Sequence, residues 1–97
     1  MIVRNYEVLQ KFARKHARSR SSLGKWHQIT LNAKWNKFDD VKKTFGATDI
    51  YGDCVIFDIA GNEYRLIAKI DYALEQLSIK KVMKHDEYNR DKWKDDC

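Results

Sequence analysis

The stretch Asp53–Tyr88 leaves this chain few folds to choose from, because three strand-like runs follow one another in it with only short turns between them. Cys54-Val55-Ile56-Phe57-Asp58-Ile59 is rich in β-branched and aromatic residues and too short for a stable helix. It stops at Ala60-Gly61-Asn62, where Gly61 or Asn62 can take the positive φ that a tight hairpin turn requires. From Glu63 to Ile70, period-two alternation puts Tyr64, Leu66, Ala68 and Ile70 on one face and Arg65, Ile67 and Lys69 on the other. After Asp71-Tyr72-Ala73, a third run from Leu74 to Met83 sets Leu77 and Ile79 opposite Ser78, Lys80 and Val82. The pattern predicts a three-stranded antiparallel meander with one face on a core and the other open to solvent or a ligand.

The residues ahead of this stretch supply the layer that covers the apolar face. Ile2 and Val3 are a candidate short first strand that could pair with the sheet. From Asn5, a plausible N-cap, Leu9, Phe12, Ala13 and His16 recur at helical spacing while Lys11, Arg14, Lys15 and Arg18 fall elsewhere around the helix. Ser19-Arg20-Ser21-Ser22 interrupts the pattern, and Ser21 or Ser22 can cap a second helix with a stripe of Leu23, Trp26, Thr30 and Ala33. Phe38, Val41 and Phe45 have the spacing of a short third helix ended by Gly46. The expected fold is α+β: an N-terminal helical hairpin, its stripes facing each other, packed on a small antiparallel β-sheet. Residues 1–97 read as one domain, since 97 residues suffice for one core and no proline, repeat or low-complexity run marks a linker. The tail from about residue 90 to 97 alternates charges around Trp93 and is read as either a short terminal helix or a frayed end.

A net charge of +5, with Lys and Arg spread along the chain, favours polyanionic partners such as nucleic acid, though acidic proteins also fit. No apolar run approaches the roughly 18 residues of a membrane span, and the first residues lack the apolar core of a secretory signal. No membrane partner is expected, and a cytoplasmic location is. Of the two cysteines, Cys54 lies inside a strand-like run and Cys97 is the last residue, so a disulfide framework is not expected and Cys54 reads as a small core residue. His16 and His27 have no partners at metal-ligand spacing and read as structural or exposed, and no metal or organic cofactor is expected.

Several of these segments, taken in order, resemble the HigB family of bacterial toxins within the larger RelE-like superfamily. The resemblance rests on Gly61-Asn62 followed by Tyr64-Arg65-Leu66-Ile67 and Lys69-Ile70, on the closing His85-Asp86-Glu87-Tyr88, and on Ala33-Lys34-Trp35 with Asp40-Val41-Lys42. It extends over nearly the whole chain to about Asn89. It implies a RelE-like fold and a messenger-RNA endoribonuclease, usually dependent on the 70S ribosome and neutralised by a cognate antitoxin.

Metal-free RNA cleavage uses the ribose 2′-hydroxyl as nucleophile on the adjacent phosphate. It needs a proton acceptor, cations for the charge on the phosphorane, and a donor for the departing 5′ oxygen. His85 is the best candidate for proton transfer, because an imidazole titrates near working pH. Tyr88 follows three residues on, and a helical turn from His85 would put both on one face, where Tyr88 could orient the base or stack on a nucleobase. Arg65 and Lys69 point to the same side of one strand and could clamp the scissile phosphate. Lys80 and Lys84 would extend that positive surface, and Lys11, Arg14, Lys15 and Arg18 could dock ribosomal RNA.

Each residue also has a plain structural reading. On that reading His85 caps the sheet, Tyr88 packs with an anchored hydroxyl, and the cations are the solvated faces of a strand and a helix. Trp26, Trp35, Phe38 and Phe45 read as core. Two other functions remain open: a non-catalytic module gripping nucleic-acid backbone through its cations, and a toxin of the same fold acting on a protein target, against which the His85/Tyr88 pair counts.

Overall fold

The computed structural model describes residues 1–97. Its centre is a five-stranded sheet of β1 (Ile2–Arg4), β2 (Asp49–Tyr51), β3 (Cys54–Ile59), β4 (Tyr64–Asp71) and β5 (Gln76–Lys84), in the order β1-β5-β4-β3-β2. β2 to β5 pair antiparallel, as the alternation predicts, but β1 runs parallel to β5, with Ile2 opposite Gln76. The expected antiparallel sheet is therefore corrected to a mixed one. A chain that enters at β1 and crosses over the helices before reaching β5 returns in the same direction, which short-range alternation cannot reveal.

The β3–β4 turn falls where expected, with different residues bearing the strain. Gly61 takes φ 65° and Ala60 takes φ 54°, whereas Asn62 keeps a negative φ and uses its side-chain oxygen to accept from Arg65. The third strand begins at Gln76, two residues later than expected, because Asp71 Oδ1 accepts from the Leu74 N–H and closes a turn there. A bulge then changes the facing of β5. Ala68 pairs with Ile79 and Ile67 with Lys81, so Lys80 is the extra residue and every later side chain swaps faces. Val82 consequently joins Leu77 and Ile79 on the core side, not the opposite side, and Met83 turns away from them.

Four helices flank the sheet: α1 (Tyr6–Lys15), α2 (Arg20–Leu31), α3 (Phe38–Thr44) and α4 (His85–Asn89). Asn5 precedes α1 in a left-handed conformation, and its side-chain amide donates to Ile79 O at 3.2 Å instead of capping the helix. A 3₁₀ turn, Ala17–Ser19, forms the corner before α2, and Ser19, not Ser21 or Ser22, sits at the N-cap. The buried Ser19 hydroxyl donates to His16 O, satisfying a polar group at the corner. The expected helical hairpin packed on the sheet is matched in part: α1 lies along β5, α2 lies against β1 and β3, and the two helices also touch each other. Leu9, Ala13, Leu23, Trp26 and Thr30 are buried there as their spacing predicts, while Ala33 falls beyond the end of α2. Trp35, Val41 and Phe57 complete this core, with Phe38 and Phe45 packed against it.

The opposite sheet face, expected to be open, is covered over β3 and β4. A closing 3₁₀ turn, Lys92–Asp96, lays Trp93 onto Cys54, Ile56, Ile67 and Met83 in a second core, with Tyr88 and Cys97 packed at its margin. Trp93 is 4% exposed. The reading of two unpaired cysteines is overturned as well: Cys97 forms a disulfide with Cys54, 43 positions earlier. Cys54 is the buried residue it was read as, but its sulfur is bonded. No helix is long and apolar enough to cross a membrane.

Candidate nucleic-acid interface

The junction of β5 and α4 fixes His85. The Val82–Lys84 segment is held in the sheet by pairing with β4, and the His85 N–H donates to Glu63 O at 3.1 Å, so the chain turns into α4 at a defined place. The His85 ring borders an open cleft of about 540 Å³ with Lys15, His16, Arg18, Lys84 and the carboxylates of Glu63 and Asp86. Asn89, one helical turn on, sets its side-chain nitrogen 3.2 Å from His85 Nδ1. The direction of this contact follows the tautomer of the ring, since an amide can turn either its nitrogen or its oxygen to Nδ1.

Three cations and two carboxylates face this cleft, but their pairing is loose. Arg18 Nη2 meets Glu63 Oε1 at 2.9 Å, with the two side chains 81% and 44% exposed. Such a pair contributes little and yields readily to a phosphate. Lys15 also borders a second groove, of about 490 Å³, between α1 and β5. Val8, Phe12 and Val82 contribute its apolar surface, and Lys11, Arg14, Lys15 and Lys81 its cations. The cations of α1 and those at the end of β5 thus border two adjoining depressions.

Tyr64 lines the cleft, and Arg65, the next residue of β4, turns to the opposite face of the sheet. There each of its three guanidinium nitrogens has a partner. Nε pairs with Asp58 Oδ1 at 3.1 Å, Nη1 donates to Tyr64 O at 3.0 Å, and Nη2 donates to Asn62 Oδ1. The guanidinium carbon also stands 5.1 Å from the Tyr88 ring centroid. α4 therefore bridges two environments, with His85 at the cleft and Tyr88 over the second core.

Among the residues singled out from sequence, the fold brings His85, Lys84, Lys15 and Arg18 to one cleft, Lys11, Arg14 and Lys15 to the adjoining groove, and Arg65 to Tyr88. It sets Lys69 beside Ser78, four residues from Arg65 and so about 13 Å along the strand. Lys80, the bulged residue, is exposed and borders neither depression. Two residues at the depressions were not singled out. Lys81 was missed because no sequence signal marked the bulge that aims it. His16 was read as structural or exposed because it has no partner at metal-ligand spacing, yet it lines the same cleft as His85, its ring 4.3 Å from Phe12. His27 lies elsewhere, stacked on Tyr6 at 4.2 Å, and burial lowers its pKa.

A family model described as HigB_toxin, RelE-like toxic component of a toxin-antitoxin system, matches residues 19–91. No curated protein matches the chain.

Proposed function

This chain belongs to the HigB toxin family, the RelE-like toxic component of toxin–antitoxin systems, and from that premise we propose that it is an endoribonuclease that cuts messenger RNA on the ribosome and is silenced by its antitoxin. The observation that carries the proposal is the cleft that His85 and His16 share with Lys15, Arg18 and Lys84. A phosphodiester seated there meets cations along its path and a proton-transfer group beside it.

In the proposed reaction the 2′-hydroxyl attacks the neighbouring phosphorus, the P–O5′ bond breaks, and a 2′,3′-cyclic phosphate and a 5′-hydroxyl result. His85 transfers the proton at one oxygen, and His16, facing the same cleft, is the candidate at the other. Lys84 and Lys15 stabilise the added negative charge of the phosphorane, and Arg18 joins them once it leaves Glu63. Asn89 positions the His85 ring: its amide nitrogen donates to Nδ1 in one orientation, and its oxygen accepts from Nδ1–H in the other, which leaves Nε2 free to act as base. Arg65 serves as the anchor of Tyr88 through the ring contact, and Tyr88 would offer a base a stacking surface once Trp93 leaves its ring. Lys69 would act farther along the RNA backbone than at the scissile phosphate. The groove cations Lys11 and Arg14 extend the same path toward ribosomal or messenger RNA.

The test is a reconstituted translation reaction in which messenger-RNA ends are mapped after adding the protein, with ribosome-free RNA and His85→Ala run beside it. The expected result is discrete breaks in the coding region that require ribosomes and fall by about 10²–10⁴-fold in His85→Ala, whose ribosome binding is retained. Binding without breaks in the unmodified protein would instead identify a non-catalytic nucleic-acid module.

A further inference from the structure

Beyond α4 the chain folds back across the sheet and is fastened at Cys97. Cys54, at the start of β3, is fully buried, and Cys97 is partly exposed, so only one end of the disulfide is open to a reagent. The Cys97 carbonyl accepts from the Asp53 N–H at 3.3 Å and sits so close over Gly52 that a Cβ there would collide with its oxygen. Between the two fastened points, Trp93 is the one fully buried side chain; its indole N–H donates to Tyr88 O at 2.9 Å and its ring stacks on Tyr88. Lys92, Asp95 and Asp96 are exposed.

We propose that Cys97 is a site of thiol–disulfide exchange and that the bond works as a latch on the segment Asp91–Cys97. The substrate class is a dithiol reductant. One of its thiolates attacks Cys97 Sγ, the Cys54–Cys97 bond breaks, and Cys54 leaves as a thiolate that takes up a proton. The reductant's second thiol then displaces Cys97 from the mixed disulfide, so that two electrons and two protons pass to the protein and the reductant is left oxidised. Exchange at Cys97 is favoured over Cys54 because attack requires access to the sulfur.

Opening the bond has a local consequence. With the disulfide intact, the segment is tied at both ends and Trp93 cannot leave without distorting a closed loop. With it open, the segment is retained by Trp93, by Lys94 over the Tyr51 ring at 4.9 Å and by a few hydrogen bonds, a pattern that marks the low-stability end of a fold. Its release uncovers Ile56, Ile67 and Met83 and frees the Tyr88 ring from Trp93. The latch does not depend on the ribonuclease proposal; only the use of the freed Tyr88 by RNA would rest on it.

The full chain, oxidised and then treated with dithiothreitol, tests this by limited trypsin digestion, which cuts after Arg90, Lys92 and Lys94 in the released segment. The expected result is that these cuts accelerate about tenfold or more on reduction while the far-ultraviolet circular dichroism is unchanged. Cys97→Ser, which removes the bond and leaves Cys54 in place, should digest like the reduced protein without any reductant. Equal resistance of the segment before and after reduction would overturn the latch. So would loss of protection across the whole chain, which would make the bond a global staple. Because the readout is the segment and not RNA, failure of the cleavage assay leaves the result intact.

Discussion

Trp93 lies over Tyr88 with ring centroids 5.1 Å apart and planes 8° from parallel. The stack joins the closing 3₁₀ turn to α4, and α4 carries His85, so the covered face of the sheet and the cleft share one short helix. Trp93→Ala empties the second core of its largest side chain and leaves Tyr88 without its stacking partner. The expected loss is about 3 kcal/mol in urea denaturation, at the lower end for a Trp truncation because a terminal turn can relax. Quenching of tyrosine fluorescence by acrylamide should rise at the same time. An unchanged urea midpoint would show that the turn contributes nothing to the folded state.

Arg65 is the buried cation on which Tyr88 and the hairpin turn converge. Arg65→Ala should cost about 1–3 kcal/mol, because it strips Asn62, the Tyr64 carbonyl and the partly solvated Asp58 of a partner at once. Arg65→Lys should recover only part of this, since a single ammonium cannot reproduce the planar fork that meets three acceptors. A double-mutant cycle with Asp58→Asn measures the ion-pair share directly. A fully stable Arg65→Ala protein would return the residue to the role of a free phosphate clamp.

Much of this arrangement was legible in the residues, and the failures share a cause. Cys54–Ile59 could be read because β-branched and aromatic residues fill it, and the apolar side of Tyr64–Ile70 because alternation marks the face packed on the helices. The same logic failed after Lys80, since a one-residue bulge inverts the alternation and nothing in Ser78-Ile79-Lys80-Lys81-Val82 marks it. The tail misled for a related reason: Trp93 is one apolar residue among charges and has no period, yet one indole and one disulfide suffice to close a sheet face. The cleft was half legible. His85 and Lys84 are adjacent in sequence, whereas His16 and Lys15 reach them only through the crossing of α1 over β5.

The cations along α1 lead to a prediction about salt. For a protein held on RNA by phosphate contacts, the logarithm of affinity falls with the logarithm of salt concentration by roughly 0.7 for each contact to a single strand. Lys11→Gln with Lys15→Gln should therefore lower RNA affinity at low salt and flatten that slope by about 1.4 if both lysines meet phosphates. Lys80→Gln, whose side chain borders neither depression, should leave the slope nearly unchanged. Fluorescence anisotropy with a labelled single strand across a salt series decides between them, and identical slopes would remove the two lysines from the interface.

His27 links stability to pH. Its ring stacks on Tyr6 at 4.2 Å and 27°, and burial lowers its pKa from the ordinary value of 6.5. In the unfolded chain it titrates at that ordinary value. Between the two pKa values the unfolded state therefore binds more protons than the folded one, and stability rises with pH across that window. Read downward, the contribution of His27 is fully present above about pH 6.5, is lost progressively as pH falls toward the folded pKa, and becomes level below it. His27→Phe keeps an aromatic ring on Tyr6 and removes the titration. Urea midpoints measured from about pH 5 to pH 7.5 should fall less steeply with acid in the variant than in the parent, while at the alkaline end the two should share the same dependence on pH. Parallel curves throughout would mean that His27 takes up its proton equally in both states and that the stack does not exclude water from the ring.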